Sequence, residues 1–189
     1  MARLRHGSTF LYDDTTADIV GLRDPDGSDL YLVMHTGTWY GLADQPADAN
    51  TATLMTFDTV GFERGITLSN DSRLNISRRA SYNLQFSAMF SNPESSAYAV
   101  SVWPRVNGVD VPASCTDITV PAKHGQVNGK AVAAWNFFFD LNERDYVQLV
   151  WSTPQSTVLI EGIDARTGPV RPAIPALIVT INEINGQRR

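Results

Sequence analysis

From residue 53 onward the chain is a succession of short runs in which apolar and polar residues alternate, each closed by Gly, Pro, Asn or Asp. A repeat of two puts successive side chains on opposite faces of an extended strand, and it leaves almost nothing but antiparallel β-structure open to this chain. The clearest run is Tyr82-Asn83-Leu84-Gln85-Phe86-Ser87-Ala88-Met89. Tyr82, Leu84, Phe86 and Ala88 share the face that points to the core, and Asn83, Gln85, Ser87 and Met89 share the other. Val147, Leu149 and Trp151 likewise fall together, leaving Tyr146, Gln148 and Val150 on a second, partly polar face that could meet another subunit. Helical periodicity is nearly absent.

The same reasoning places strands at 52–57, 66–68, 73–77, 81–90, 97–106, 109–113, 117–120, 132–141, 146–151, 158–164 and 176–181. Short strands at this spacing are those of a β-sandwich or barrel. The connection in "SVWPRVNGVDVP" (101–112) is specific. Asn107-Gly108 fits a two-residue type I′ turn, in which both central residues take positive φ. Pro104 and Pro112 have no N–H to give to a ladder, so they belong at an edge or a bulge. This makes the hairpin scaffold rather than a recognition loop.

Residues 1–50 read differently. Ala17 to Leu22 and Asp29 to Met34 form one hairpin around Pro25-Asp26-Gly27, and a lone hairpin is marginal in water, so it must dock on something. The stretch "GLADQPADANTA" (41–52) has few large apolar residues and reads as a linker. The boundary is expected near residue 49, giving an N-terminal arm at 1–48 and a main domain at 49–189.

Charge and composition narrow the function classes. A net charge of −5 with no internal cluster of Lys or Arg is wrong for neutralising phosphates and predicts no nucleic-acid partner. The start "MARLRHGSTF" has no apolar run behind its basic residues, and no stretch is long and apolar enough to span a membrane, so synthesis in the cytosol and no membrane insertion are expected. A single cysteine, Cys115, rules out an internal disulfide framework and a cysteine-rich zinc site. With no basic neighbour in sequence it reads as an inert thiol.

No motif for catalysis stands out. His6, His35 and His124 have no metal-ligand spacing and read as surface or loop histidines. There is no phosphate-binding glycine loop and no Gly-x-Ser-x-Gly nucleophile elbow. A Ser/His/Asp triad assembled from distant strands stays open as a third possibility. Asp24-Pro25-Asp26-Gly27-Ser28-Asp29 has carboxylates at alternate positions, as a calcium loop does, but His35 stands where a bidentate Glu is needed, so the segment reads as a turn. Asp140, Glu143 and Asp145 suit a solvated connection better than a pair of catalytic carboxylates. No catalytic residue, cofactor or metal is therefore expected.

Four segments, taken in order, resemble a known fold. "RLNISRRASYNLQFSAMF" (73–90) resembles the strand pair of tumour-necrosis-factor-like jelly rolls that leads into Gly-x-Tyr-x-x-x-Phe-Ser, and "LNERDYVQLVW" (141–151) is similar to their later Gly-Asp-x-Val-x-Leu strand. Ala80 and Arg144 stand where that pattern has Gly. "VWPRVNGVDVPAS" and "AAWNFFFDL" look like bacteriophage virion proteins carrying this jelly roll. The resemblance covers roughly residues 50–185. It implies an all-β antiparallel jelly-roll sandwich with a small N-terminal hairpin arm, forming a homotrimer that decorates a phage head or tips a fibre.

The expected function is a non-enzymatic virion protein on the capsid exterior, a trimeric decoration (cement) or head-fibre subunit whose arm grips the major capsid protein or another virion protein. Leu30, Tyr31, Trp39 and Tyr40 are the expected capsid-anchoring residues, and Trp103, Arg105, Tyr146 and Gln148 the expected trimer-interface residues. The alternative is the head of a tail fibre that binds a host cell-surface glycan or receptor. It lacks the repetitive shaft or heptads such a fibre needs.

Overall fold

The computed structural model describes residues 9–13, 18–23, 29–30 and 34–186. The chain divides into two compact units, Met1–Val33 and Met34–Arg189. In the first, β1 (Thr9–Asp13), β2 (Asp18–Arg23) and β3 (Asp29–Leu30) make an antiparallel sheet with β2 in the middle. The expected hairpin is the β2–β3 pair, with Leu22 opposite Leu30 and Arg23 opposite Asp29. β1 is an additional strand, bulged between Leu11 and Tyr12. The Pro25-Asp26-Gly27 turn, with the calcium-like Asp24–Ser28 stretch, lies outside the described residues.

The second unit is an all-β antiparallel sandwich. Its strands are β4 (Thr36–Gly41), β5 (Gln45–Pro46), β6 (Thr53–Leu54), β7 (Thr59–Arg64), β8 (Ile66–Ser69), β9 (Arg73–Ile76), β10 (Ala80–Asn92) and β11 (Tyr98–Val106). They are followed by β12 (Val109–Asp110), β13 (Thr116–Val120), β14 (Gly129–Leu141), β15 (Tyr146–Ser152), β16 (Leu159–Ile160), β17 (Arg166–Thr167), β18 (Val170–Arg171) and β19 (Leu177–Gly186). One sheet is built on β10, which pairs with β14 along one side and with β19 and then β16 along the other. β4 pairs with β19, β7 with β4, and β5 with β16. The other sheet is built on the β11–β15 pair, with β13 and β12 sharing the outer side of β11, β9 and β6 sharing that of β15, and β8 on β9.

The inward faces meet in one core. Trp39, Tyr82, Leu84, Phe86, Ala88, Phe90, Val179 and Ile181 come from the first sheet, and Leu74, Ile76, Val100, Val102, Val147, Leu149 and Trp151 from the second. Phe90 and Trp151 touch across the gap, ring centroids 5.4 Å apart. The face assignment made from the Tyr82–Ala88 alternation therefore holds residue by residue.

The sandwich begins well before residue 49. β4 lies inside the first sheet, and Gln45 and Pro46 pair with β16. The linker reading of 41–52 is thus corrected. In β4, Gly37, Trp39 and Gly41 all point inward, so the strand lacks a run of large apolar residues at alternate positions, although its central side chain is fully buried. A Cβ on Gly37 would sit 2.3 Å from the Trp39 ring, so the missing side chain makes the bed for the indole. Trp39 Nε1 donates to Glu63 Oε1 at 2.8 Å, and the same oxygen accepts the Leu68 N–H at 2.7 Å.

The 101–112 hairpin has the expected geometry. Asn107 and Gly108 have φ of 52° and 80°, the type I′ pattern, and Val106 faces Val109. Pro104 is inside β11, at the point where the neighbour on one side changes from β13 to β12. Its carbonyl accepts the Val111 N–H at 3.2 Å. In an antiparallel strand the N and C=O of one residue point the same way. The ring nitrogen therefore faces the 111–115 loop, where no ladder bond is lost.

Candidate interaction surfaces

The outer face of the β7–β4–β19–β10–β14 sheet is assembled from short polar and apolar residues in rows that cross all the strands. Phe62, Thr38, Thr180, Gln85 and Asn136 form one row. Tyr40, Ile178, Ser87 and Ala134 form the next, and Thr36, Asn182, Asn83 and Phe138 lie on the opposite side. Phe62, Val132 and Phe138 on this face are 50%, 61% and 67% exposed. Among the described residues, charged side chains stand only at the rim: Arg64 at the end of β7, Asp140 and Lys130 at the two ends of β14, and Glu161, which pairs with Lys130. Five strands at about 4.8 Å spacing and rows about 7 Å apart make a field on the order of 400 Å². Solvated sheet faces normally carry Lys and Glu; loss of charge with retained aromatics is the composition of an interface core.

The outer face of the second sheet gathers the residues expected at a trimer contact. Arg105 is opposite Gln148, and Trp103 is opposite Val150. Trp103 Nε1 donates to Asp110 Oδ1 at 2.8 Å, and Arg105 Nε donates to the same oxygen at 2.7 Å. Bonds from Arg105 and then Trp103 hold the Asp110 carboxyl below its ordinary value. These groups tie the two strands of the hairpin together, which is a scaffold role. The Arg73 guanidinium lies 4.5 Å from the Tyr146 ring centroid. Gln148 and Val150 are corrections to the expected face. Both are buried within their own chain, and Gln148 donates to Ser72 Oγ of the 69–72 turn at 3.0 Å. Gln148 offers a second subunit nothing.

Two of the expected anchoring residues, Trp39 and Tyr40, belong to the sandwich unit. Trp39 is a core residue of the sandwich, and Tyr40 is half-buried on the outer face of its sheet. Leu30 belongs to β3 in the other unit, and Tyr31 lies outside the described residues.

The nearest approach to a triad is Ser77, His35 and Glu183. Ser77 Oγ is 3.2 Å from His35 Nδ1 but donates to the Gly65 carbonyl. Glu183, 3% exposed, takes the His35 backbone N–H at 2.8 Å and the Arg78 guanidinium at 3.1 Å, so its carboxylate faces no imidazole nitrogen. Burial alone would raise Glu183; the bonds from Arg78 and the His35 N–H outweigh it and leave the carboxyl below its ordinary value. Burial and then the Arg78 charge push His35 down. Burial and then Glu183 drive the Tyr82 hydroxyl up to about 12. These are the marks of a clamp that fastens β4 to β19. Glu183 continues the inward phase of Leu177, Val179 and Ile181 and stands opposite Tyr82; it escaped sequence reasoning because the expected strand ends at Ile181 and a carboxylate does not read as an inward residue.

A cleft of about 130 Å³ lined by Arg79, Ala80, Asp140, Leu141 and Asn142 is far smaller than the roughly 300–1,000 Å³ of small-molecule sites. Cys115 is exposed in the 111–115 loop, where partial desolvation and the Asp117 carboxylate push its thiol above the ordinary value. Among the described residues no group of three or more His, Cys, Asp or Glu could hold a metal ion. Comparison with known proteins found no matching family model and no matching curated protein.

Proposed function

We propose that this chain is a non-enzymatic structural subunit of a bacteriophage virion, a homotrimeric capsid decoration or head-fibre protein held to the shell by its N-terminal unit. The observation that carries the trimer is the uncharged outer face of the β7–β4–β19–β10–β14 sheet. Left in water such a face wastes its aromatics; against a second copy it forms a closed ring of heterologous contacts.

The jelly-roll reading is supported by the way consecutive long strands change sheets. β9 is in the second sheet, β10 in the first, β11 and β13 in the second, β14 in the first, β15 in the second and β19 in the first. Arg144 adds a local point. It occupies the position where the related pattern has Gly, and its φ is 73°, in the left-handed region that glycine favours.

The anchoring half of the proposal rests on the unit Met1–Val33, compact in itself and separate from the sandwich unit. Three arms on one trimer bind a shell cooperatively through effective concentration. The test is removal of residues 1–33, leaving Met34 onward. The truncated protein is expected to stay folded and trimeric but to be missing from purified particles, as read by antibody labelling in electron micrographs. Unchanged labelling overturns the anchoring role. Labelling of the tail tip instead of the head overturns the decoration role.

A further inference from the structure

Between β16 and β19 the chain leaves the first sheet for one excursion. Its two ends are pinned to a single residue: Glu161 N–H donates to the Met89 carbonyl at 2.7 Å, and Met89 N–H donates to the Ala176 carbonyl at 2.9 Å. Met89 belongs to the set of outward residues on β10. The excursion is built, not loose. Ile163 and Ile174 bridge at its base, Arg166–Thr167 pairs with Val170–Arg171 at its tip, and Arg171 Nη1 donates to the Asp164 carbonyl at 3.0 Å and the Pro172 carbonyl at 2.9 Å. Pro169, Pro172 and Pro175 stiffen it.

This arm buries very little against its own chain. Residues 164–170 are all exposed, with Val170 at 84%. A hairpin of two-residue strands is not stable alone in water, so the ordering of this one is costly unless something receives it. Three considerations identify the receiver. The arm springs from the border of the uncharged face, so whatever covers that face meets the arm. The face itself, on the order of 400 Å², supplies only half of the roughly 800 Å² per partner of a standard interface. The arm also carries Arg166 and Arg171 against the single carboxylate Asp164, in a chain whose net charge is −5, so a second copy presents it with a surface of opposite average sign.

We infer that residues 163–174 form a clasp that reaches onto the neighbouring copy in the oligomer and seats Pro169 and Val170 in its contact. The inference rests on the trimer proposed above. It is tested on the full chain by limited trypsin digestion at the Arg166–Thr167 bond, with Thr180→Arg as a monomeric control and Val170→Asp as a clasp variant that cannot disturb the core. Cleavage in the assembled protein is expected to be at least tenfold slower than in Thr180→Arg, and Val170→Asp should raise the trimer dissociation constant at least tenfold. A trimer in which the bond is cut as fast as in Thr180→Arg, or whose dissociation is unmoved by Val170→Asp, overturns the clasp and leaves the trimer standing. A wild-type monomer overturns the trimer, and the clasp with it.

Discussion

Replacing Gly37 by Ala tests how β4 is built into the sandwich. The new Cβ would lie 2.3 Å from Trp39 Cη2 and 2.7 Å from Cζ2, against a normal carbon contact of about 3.5–4 Å. The indole therefore has to move by more than 1 Å, and it has nowhere to go: Trp39 is fully buried, and its Nε1 is held by Glu63. Overpacking of this kind costs about 1–3 kcal/mol, and loosening the Trp39–Glu63 bond adds about 1 kcal/mol. We expect Gly37→Ala to lose about 2–4 kcal/mol. For a chain of this size that is a fall of very roughly 5–15 °C in Tm, at fixed protein concentration. The assay is urea unfolding followed by tryptophan fluorescence, repeated with Trp39→Phe and the double variant. If the ring clash is the cause, the smaller Phe ring relieves it, and the double variant loses less than the two singles together by 1 kcal/mol or more. A Gly37→Ala protein as stable as the wild type, or strictly additive singles, would refute the packing argument.

Two further predictions concern the turn and the clamp. Arg144 is almost fully exposed at φ 73°, so Arg144→Gly removes about 1–2 kcal/mol of left-handed strain and gives back about 0.5–1 kcal/mol of chain entropy; a net gain of about 0.5–1 kcal/mol should appear in the urea midpoint. Stability should fall with acid in two stages. His35 is depressed below 6.5 in the fold, so the unfolded chain takes up its proton first and stability declines as pH drops from about 6.5 through the folded value; Glu183, depressed below 4.5, adds a second decline as pH falls from about 4.5 through its own folded value. Urea midpoints against pH should lose the first stage in His35→Gln, and Glu183→Gln should reduce the second, to which the depressed Asp58 and Asp110 also contribute; a wild-type midpoint that is flat from pH 7 to 5 contradicts the His35 assignment.

The parts of the fold that could be read from sequence are those where one rule acted alone. The Tyr82–Ala88 alternation had no glycine and no bulge before its end, so period two gave the core face directly. Asn107-Gly108 fixed its own turn because both residues tolerate positive φ. β4 was hidden because two of its three inward residues are glycines, so the strand lacks the large apolar residues that mark an alternating run. β7 was missed for a related reason: the ladder shifts register where Gly61 lies, which breaks the alternation of its outward residues. The candidate surface was out of reach altogether. No short segment shows that Phe62, Thr180, Gln85 and Asn136 stand in one row, since the row exists only once distant strands pair. The alternation of β15 puts Gln148 on an outer face beside Tyr146, but it could not show that Ser72 of the 69–72 turn already engages Gln148.

The uncharged sheet face is proposed to join copies of this chain. Sedimentation equilibrium of the full chain at micromolar concentration tests it most directly, run beside Thr180→Arg, which sets a charge in the middle of the Phe62–Thr38–Thr180–Gln85–Asn136 row without touching the core. The expected particle is about three times 20.8 kDa for the wild type and a folded 20.8 kDa monomer for Thr180→Arg. A wild-type monomer, or a Thr180→Arg trimer of unchanged strength, would contradict it.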